Sequence, residues 1–145
     1  MPIEPSDVAL NKAEIIQRCI RRIREEYAAD PSLNNLTNLD ALTLNVERAC
    51  QACIDLAMHI TAQKRLGVPQ TSGDAFSLLR EAGIIERKNE KQMRLMTGFR
   101  NIAIHQYQKI NDDVLRYIAE TGWKDIVAFC RQLGLDIETP DDFSA

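Results

Sequence analysis

"TNLDALTLNVERACQACIDLAMHITAQKRL", residues 37–66, reads as one long helix, and that reading decides the fold. Thr37 and Asp40 form a capping-box-like pair at its start. It stops at about Leu66, before "GVP". At ~1.5 Å per residue such a helix is about 45 Å long, the length of a bundle's spine. Cys50 and Cys53 lie inside it as "CQAC". A redox pair of that spacing belongs after a strand, and none is legible nearby. A zinc site needs a second ligand pair, and none follows. Both cysteines sit among apolar residues at helical spacing, where a free thiol packs as a small hydrophobe.

Outward from the spine, everything reads as helix. From Asp7 to Ala28, Val8, Ile15, Ile16, Cys19, Ile23 and Tyr27 recur at three- and four-residue spacing. Ser6 or Asp7 caps that helix, and "DPS" at 30–32 ends it. A short helix follows "TSGD" at 71–74 and ends at Gly83. A fourth begins near Asn89, with Gln92 three residues on, and continues into "GFRNIAIHQYQ", 98–108. Asn111, Asp112 and Asp113 start a fifth with a cap and dipole-matched acids, and Gly122 closes it. A last helix runs from about Trp123 to Leu133, with Gly134 as the left-handed stop. Short connections make neighbours antiparallel. The expected fold class is all-α: an antiparallel four-helix bundle with short additional helices. Residues 1–145 form one domain, with a core of about 7–134 and a loose acidic tail over 135–145.

The chain has 145 residues, 45% hydrophobic and 27% charged, which suits a soluble globular domain. No apolar run approaches the ~18 residues of a membrane span. "MPIEPSDVAL" has neither a basic nor an apolar leader region, so the expected location is the cytoplasm. The net charge of −3 argues against a general nucleic-acid coat protein. Cations are nonetheless concentrated. Over 86–100, Arg87, Lys88, Lys91, Arg94 and Arg100 face only Glu86 and Glu90. Arg18, Arg21, Arg22 and Arg24 form a second cluster.

Chemistry is most plausible at Arg100, Asn101, His105 and Tyr107. On a continuous helix Arg100 and His105 differ by about 140° and ~7.5 Å of rise. Arg100 and Tyr107 lie within ~20° of one azimuth. The imidazole of His105 can accept or donate a proton at neutral pH. The guanidinium of Arg100 offers a planar fork to phosphate oxygens. RNA carries its own nucleophile, the 2′-OH, so these groups suffice in type for cleavage of the adjacent phosphodiester. Asn101 could hold the His or the phosphate. The bland alternative is a surface arginine, a helix-end histidine and a buried tyrosine.

"RNIAIHQY" matches the Arg-x4-His-x-Tyr signature of the HepT family, within the HEPN superfamily of small helical ribonucleases. Length, motif position and the long second helix extend the resemblance over most of the chain. It implies a metal-independent RNase toxin of a toxin–antitoxin pair, without cofactor, acting on tRNA. Arg100 and His105 would be catalytic and Asn101 supporting. The implied partner is an MntA-type nucleotidyltransferase antitoxin that silences the toxin by AMPylating Tyr107. The resemblance also implies a symmetric homodimer with paired motifs at its interface, which would compensate for the single motif His per chain. The alternative is a non-catalytic HEPN-type helical binding subunit of a nucleotidyltransferase, or a structural adaptor. His59, with Asp55 one turn before it, is either a groove-lining pair or an ordinary ion pair. Met93, Met96 and Phe99 read as core or dimer contact rather than as a base-stacking platform.

Overall fold

The computed structural model describes residues 5–106 and 112–139, with side chains described over 5–98 and 112–139. The described residues are helical, with no strand. The elements are α1 (Asp7–Ala29), α2 (Leu36–Gln63), α3 (Ser72–Glu81), α4 (Arg87–Gln106), α5 (Asp112–Tyr117), a π-turn (Ile118–Gly122) and α6 (Trp123–Gln132).

Ser6 caps α1, its hydroxyl accepting from the Ala9 N–H at 3.2 Å. Ala9, Ala13, Ile16, Ile20 and Ile23 make a buried stripe on α1 that lies on α2. Three side-chain contacts fix the pair as antiparallel. Ser6 reaches His59, Lys12 reaches Asp55, and at the other end Asn38 donates to Glu26.

The spine differs from the sequence reading at both ends. Asn35 is its cap, accepting from the Asn38 N–H at 3.2 Å, so α2 starts before Thr37. The Asp30 carboxylate accepts the Asn35 N–H at 2.6 Å and sets that cap in place. At the C-terminus Arg65 takes φ 54°, and the Leu66 N–H returns to the Thr61 carbonyl at 2.9 Å, closing the helix three residues early. The 28 residues of α2 span ~42 Å. It touches α1, α3, α4 and α5, which is why its buried residues surround it rather than form one stripe.

α3 begins within "TSGD" rather than after it. Thr71 and Asp74 form a reciprocal capping box. Gly83, at φ 77°, ends the turn, with the Ile84 N–H on the Leu79 carbonyl. α3 lies antiparallel to α4 through Arg80–Glu90 and Arg94–Ser77. α4 starts at Arg87, not Asn89, which is buried within its first turn. Phe76 of α3 meets Phe129 of α6 edge-on, ring centroids 5.4 Å apart.

Gly122 does not end the fifth helix. Its φ and ψ are −60° and −28°, and the chain passes through the π-turn directly into α6. Close packing is the reason for the glycine. A Cβ there would lie 3.2 Å from Met96 Sδ, 3.2 Å from Tyr117 Cε2 and 3.3 Å from Ile118 Cγ1. α6 ends as expected at Gly134, φ 83°, with the Leu135 N–H on the Cys130 carbonyl. The acidic end is not loose from 135 onward. Leu135 and Ile137 are buried, and the Glu138 N–H donates to Gln17 of α1 at 2.7 Å.

Gly122 yields a stability test. In an open helix interior Gly→Ala gains about 1 kcal/mol. At Gly122 the added methyl presses on three side chains, and overpacking of this kind costs about 1–3 kcal/mol. Gly122→Ala should therefore lower the denaturant midpoint, and a midpoint at or above wild type would contradict the close-approach reading.

Candidate active site

α4 is continuous in backbone from Arg87 to Gln106, so Arg100, Asn101 and His105 occupy fixed register positions on one helix. Their side chains lie outside the described ones, which stop at Gly98, and Tyr107 lies outside the described residues. No loosening of the helix occurs before Gln106. Arg100 and His105 are thus separated by about 140° around the axis and ~7.5 Å along it. Asn101 and His105, four apart, share a face.

Met96 fixes where this helix lies. It is 2% exposed, its carbonyl receives the Cys50 thiol of α2 at 3.9 Å, and its sulfur lies against Gly122 on the other side. Met93, one turn earlier, is equally buried, and the Thr97 hydroxyl donates to the Met93 carbonyl at 2.9 Å. Met93 and Met96 are therefore core, as the spacing suggested. The Phe99 side chain lies outside the described ones. Beside Met96, a largely apolar cleft of about 260 Å³ opens between α4 and α5, lined by Gln92, Leu95, Asp113, Val114 and Tyr117.

Asp55 and His59 do not act as a pair. Asp55 accepts from Lys12 at 3.2 Å and from Gln51 at 2.6 Å, while His59 Nε2 meets the Ser6 hydroxyl at 2.7 Å. Both serve the α1–α2 seam. Two of the α1 arginines are also engaged. Arg22 reaches Glu25 and Glu26, and Arg24 donates to the Ala119 carbonyl at 2.8 Å while lying over the Trp123 ring. On α4, Arg94 donates to the Gly73 carbonyl at 2.8 Å and the Ser77 hydroxyl at 2.7 Å. Sequence reasoning missed Gly73. A Cβ there would lie 3.1 Å from the Arg94 guanidinium carbon, so the glycine makes room for that cation.

Among the described residues no group of three or more His, Cys, Asp or Glu could hold a metal ion. None of their helices is long and apolar enough to cross a membrane.

Residues 14–133 match the family model "Ribonuclease HepT-like". A curated relative, the mRNA nuclease HepT of Shewanella oneidensis strain MR-1, is 38% identical over 125 residues, covering 86% of this chain and 94% of that protein. The fold also superposes on the tri-AMPylated HEPN toxin of Shewanella oneidensis solved with its MNT antitoxin. There the TM-score is 0.83 at 37% identity, covering 90% of this chain and 98% of that one. A toxin–antitoxin crystal structure with AMP-PNP gives a TM-score of 0.82 at 37% identity, covering 89% and 98%.

The cysteines stand apart from this chemistry. Cys19, Cys50, Cys53 and Cys130 are all buried thiols. Burial pushes the Cys53 thiol well up, and pushes Cys130 up to about 12. Burial also raises Cys19, against the pull of Arg48 and Arg18. A thiol raised in the fold adds stability that is fully present below its unfolded pKa of ~8.5. That stability is lost as pH rises from there through the folded value, about 12 for Cys130. Chemical denaturation midpoints should fall steadily above about pH 8.5. Alkylation of Cys53 and Cys130 at neutral pH should require unfolding, and rapid modification of either in the folded protein would refute their burial.

Proposed function

This chain belongs to the HepT-like ribonuclease family, and from that membership we propose that it is a metal-independent ribonuclease toxin silenced by a nucleotidyltransferase antitoxin. The observation that carries the reading is the intact Arg-x4-His-x-Tyr sequence motif, whose Arg100 and His105 stand on α4, in a chain that covers 94% of a curated nuclease relative. His105 is the acid–base group. It accepts the 2′-OH proton or protonates the leaving 5′-oxygen. Arg100 neutralises charge building on the phosphorane oxygens, and Asn101 supports the site. The products of that route are a 2′,3′-cyclic phosphate and a 5′-hydroxyl. The substrate is RNA. The relative's name specifies mRNA where the sequence reading expected tRNA, so digestion of both classes belongs in the assay.

The register of α4 supports a homodimer. Arg100 and His105 diverge by about 140° on one helix, and each chain has one motif His. A second copy across a shared groove would supply the opposing acid–base group and arginine. Silencing falls to Tyr107, whose phenol oxygen would attack the α-phosphorus of ATP. Pyrophosphate leaves and the phenolic proton passes to solvent. Each AMP added brings phosphate charge next to the groups that must bind substrate phosphate.

His105→Ala should lower RNA cleavage by about 10²–10⁴ without changing the unfolding midpoint by more than a surface substitution does. Arg100→Lys should resemble Arg100→Ala, because an ammonium lacks the planar fork. A folded His105→Ala protein that cleaves at the wild-type rate would end the catalytic claim for His105, whereas a wild type that cleaves no RNA would leave the chain a non-catalytic binding subunit.

Tyr107→Phe should still cleave RNA and should resist silencing by the cognate nucleotidyltransferase with ATP. Intact mass is the check. AMP-sized increments persisting in Tyr107→Phe would move the modification to another residue.

A further inference from the structure

Gly98 sits inside α4, where glycine costs helix stability relative to alanine. Gly73 and Gly122 justify that cost by close packing, but Gly98 does not. No described atom lies within 4 Å of a Cβ placed there. Among the described residues nothing covers Gly98, so the residue suits something that approaches the helix from outside.

The residues in line with Gly98 indicate what approaches. Arg87, Lys91, Arg94, Gly98, Asn101 and His105 follow one another at alternating spacings of four and three, which keeps them on one stripe of α4. From Arg87 to His105 is five turns, ~27 Å along the axis. Arg87, Lys91 and Arg94 are exposed and have no salt-bridge partner among the described residues. They line a groove of about 480 Å³. Glu90, the anion in that groove, is occupied by Arg80 at 3.0 Å. Arg94 is held in place by Gly73 and Ser77, at the positive end of α3, where a cation is unfavourable for that helix. Arg87, Lys91 and Arg94 thus make no ion pair among the described residues, although the Arg94 charge also reaches Asp74 and Glu90, and Arg94 is pre-positioned in line with His105.

We infer that Arg87, Lys91 and Arg94 form a phosphate-binding track that carries single-stranded RNA along α4, across Gly98, to His105. The inference rests on the ribonuclease reading. Charge complementarity selects the occupant: a cationic stripe on an otherwise acidic protein fits a polyanion. The bare backbone at Gly98 lets the strand lie close to the helix where the cations give way to Asn101 and His105. The track adds affinity for strands long enough to reach it, and it adds little for a dinucleotide bound at His105 alone.

Binding to the His105→Ala protein tests the track without cleavage. The probes are a fluorescent single-stranded RNA and a ribodinucleotide. Against that background, Arg87→Ala with Lys91→Ala should weaken binding of the long strand about tenfold at low salt. It should lower the salt slope by roughly 1.4, the value for two phosphate contacts to a single strand. The dinucleotide should lose much less. Gly98→Ala should raise the thermal midpoint and yet weaken long-strand binding. Equal losses on both probes, or an unchanged salt slope, would overturn the track. So would loss of self-association or antitoxin binding with long-strand affinity intact, which would make this face a protein interface. Failure of the wild type to cleave any RNA would count separately, against the ribonuclease reading, while the binding comparison still decides the track.

Discussion

Met96 is gripped between the Cys50 thiol of α2 and the bare backbone of Gly122 in the π-turn, one turn before Arg100. That double contact fixes the height of α4 against the spine on one side and against the α5–α6 rod on the other. A methionine suits the position because its unbranched thioether adapts to the bare backbone of Gly122. The π-turn serves the same contact. By adding a residue to the helical ladder, it lets α5 and α6 run as one rod while Gly122 is brought up to α4. Register then propagates along a stiff helix, and the motif positions inherit it.

The acidic average conceals a division of labour among the cations. Arg22 is neutralised by Glu25 and Glu26. Arg24 works inside the fold, on the Ala119 carbonyl and the Trp123 ring. Lys12 and Arg80 are paired with Asp55 and Glu90. On α4, by contrast, Arg87, Lys91 and Arg94 meet no carboxylate in an ion pair among the described residues. A net charge of −3 is therefore compatible with a locally positive helix. Exposed charges more than about 8–10 Å apart are largely screened at physiological salt, so a phosphate responds chiefly to the nearby stripe.

Features written in local sequence were legible. Ser6, the Thr71 and Asp74 box, and the Gly83 and Gly134 stops each depend on a few adjacent residues. The buried Met93 and Met96 followed from helical spacing. The misreadings arose where another contact overrode the signal that was read. Thr37 with Asp40 is a sound cap pattern, but Asp30 and Asn35 cap the chain first. Asp55 and His59 are correctly spaced for each other, but α1 supplies Lys12 and Ser6 to them. Ile137 follows a helix stop in an acidic stretch, yet it finds a buried place in the core. Gly122 shows the limit most directly. A glycine that stops a helix and one that admits a neighbour look the same in sequence, and only the position of Met96 distinguishes them.

The same distinction gives the motif its physical setting. Each helix-interior glycine needs a compensating close contact, and within the fold Gly122 has one while Gly98 has none described. α4 is thus gripped from behind at Met96, while at Gly98, two residues on and so about 200° around the helix, no described residue covers it. The buried face fixes the helix, and the open face is free to meet a ligand. On the proposed reading this makes silencing efficient. A strand held by a few local cations is displaced by a few local phosphates. AMP added at Tyr107, two residues beyond His105 in sequence, would bring its charge to the Arg100–His105 end of the proposed track.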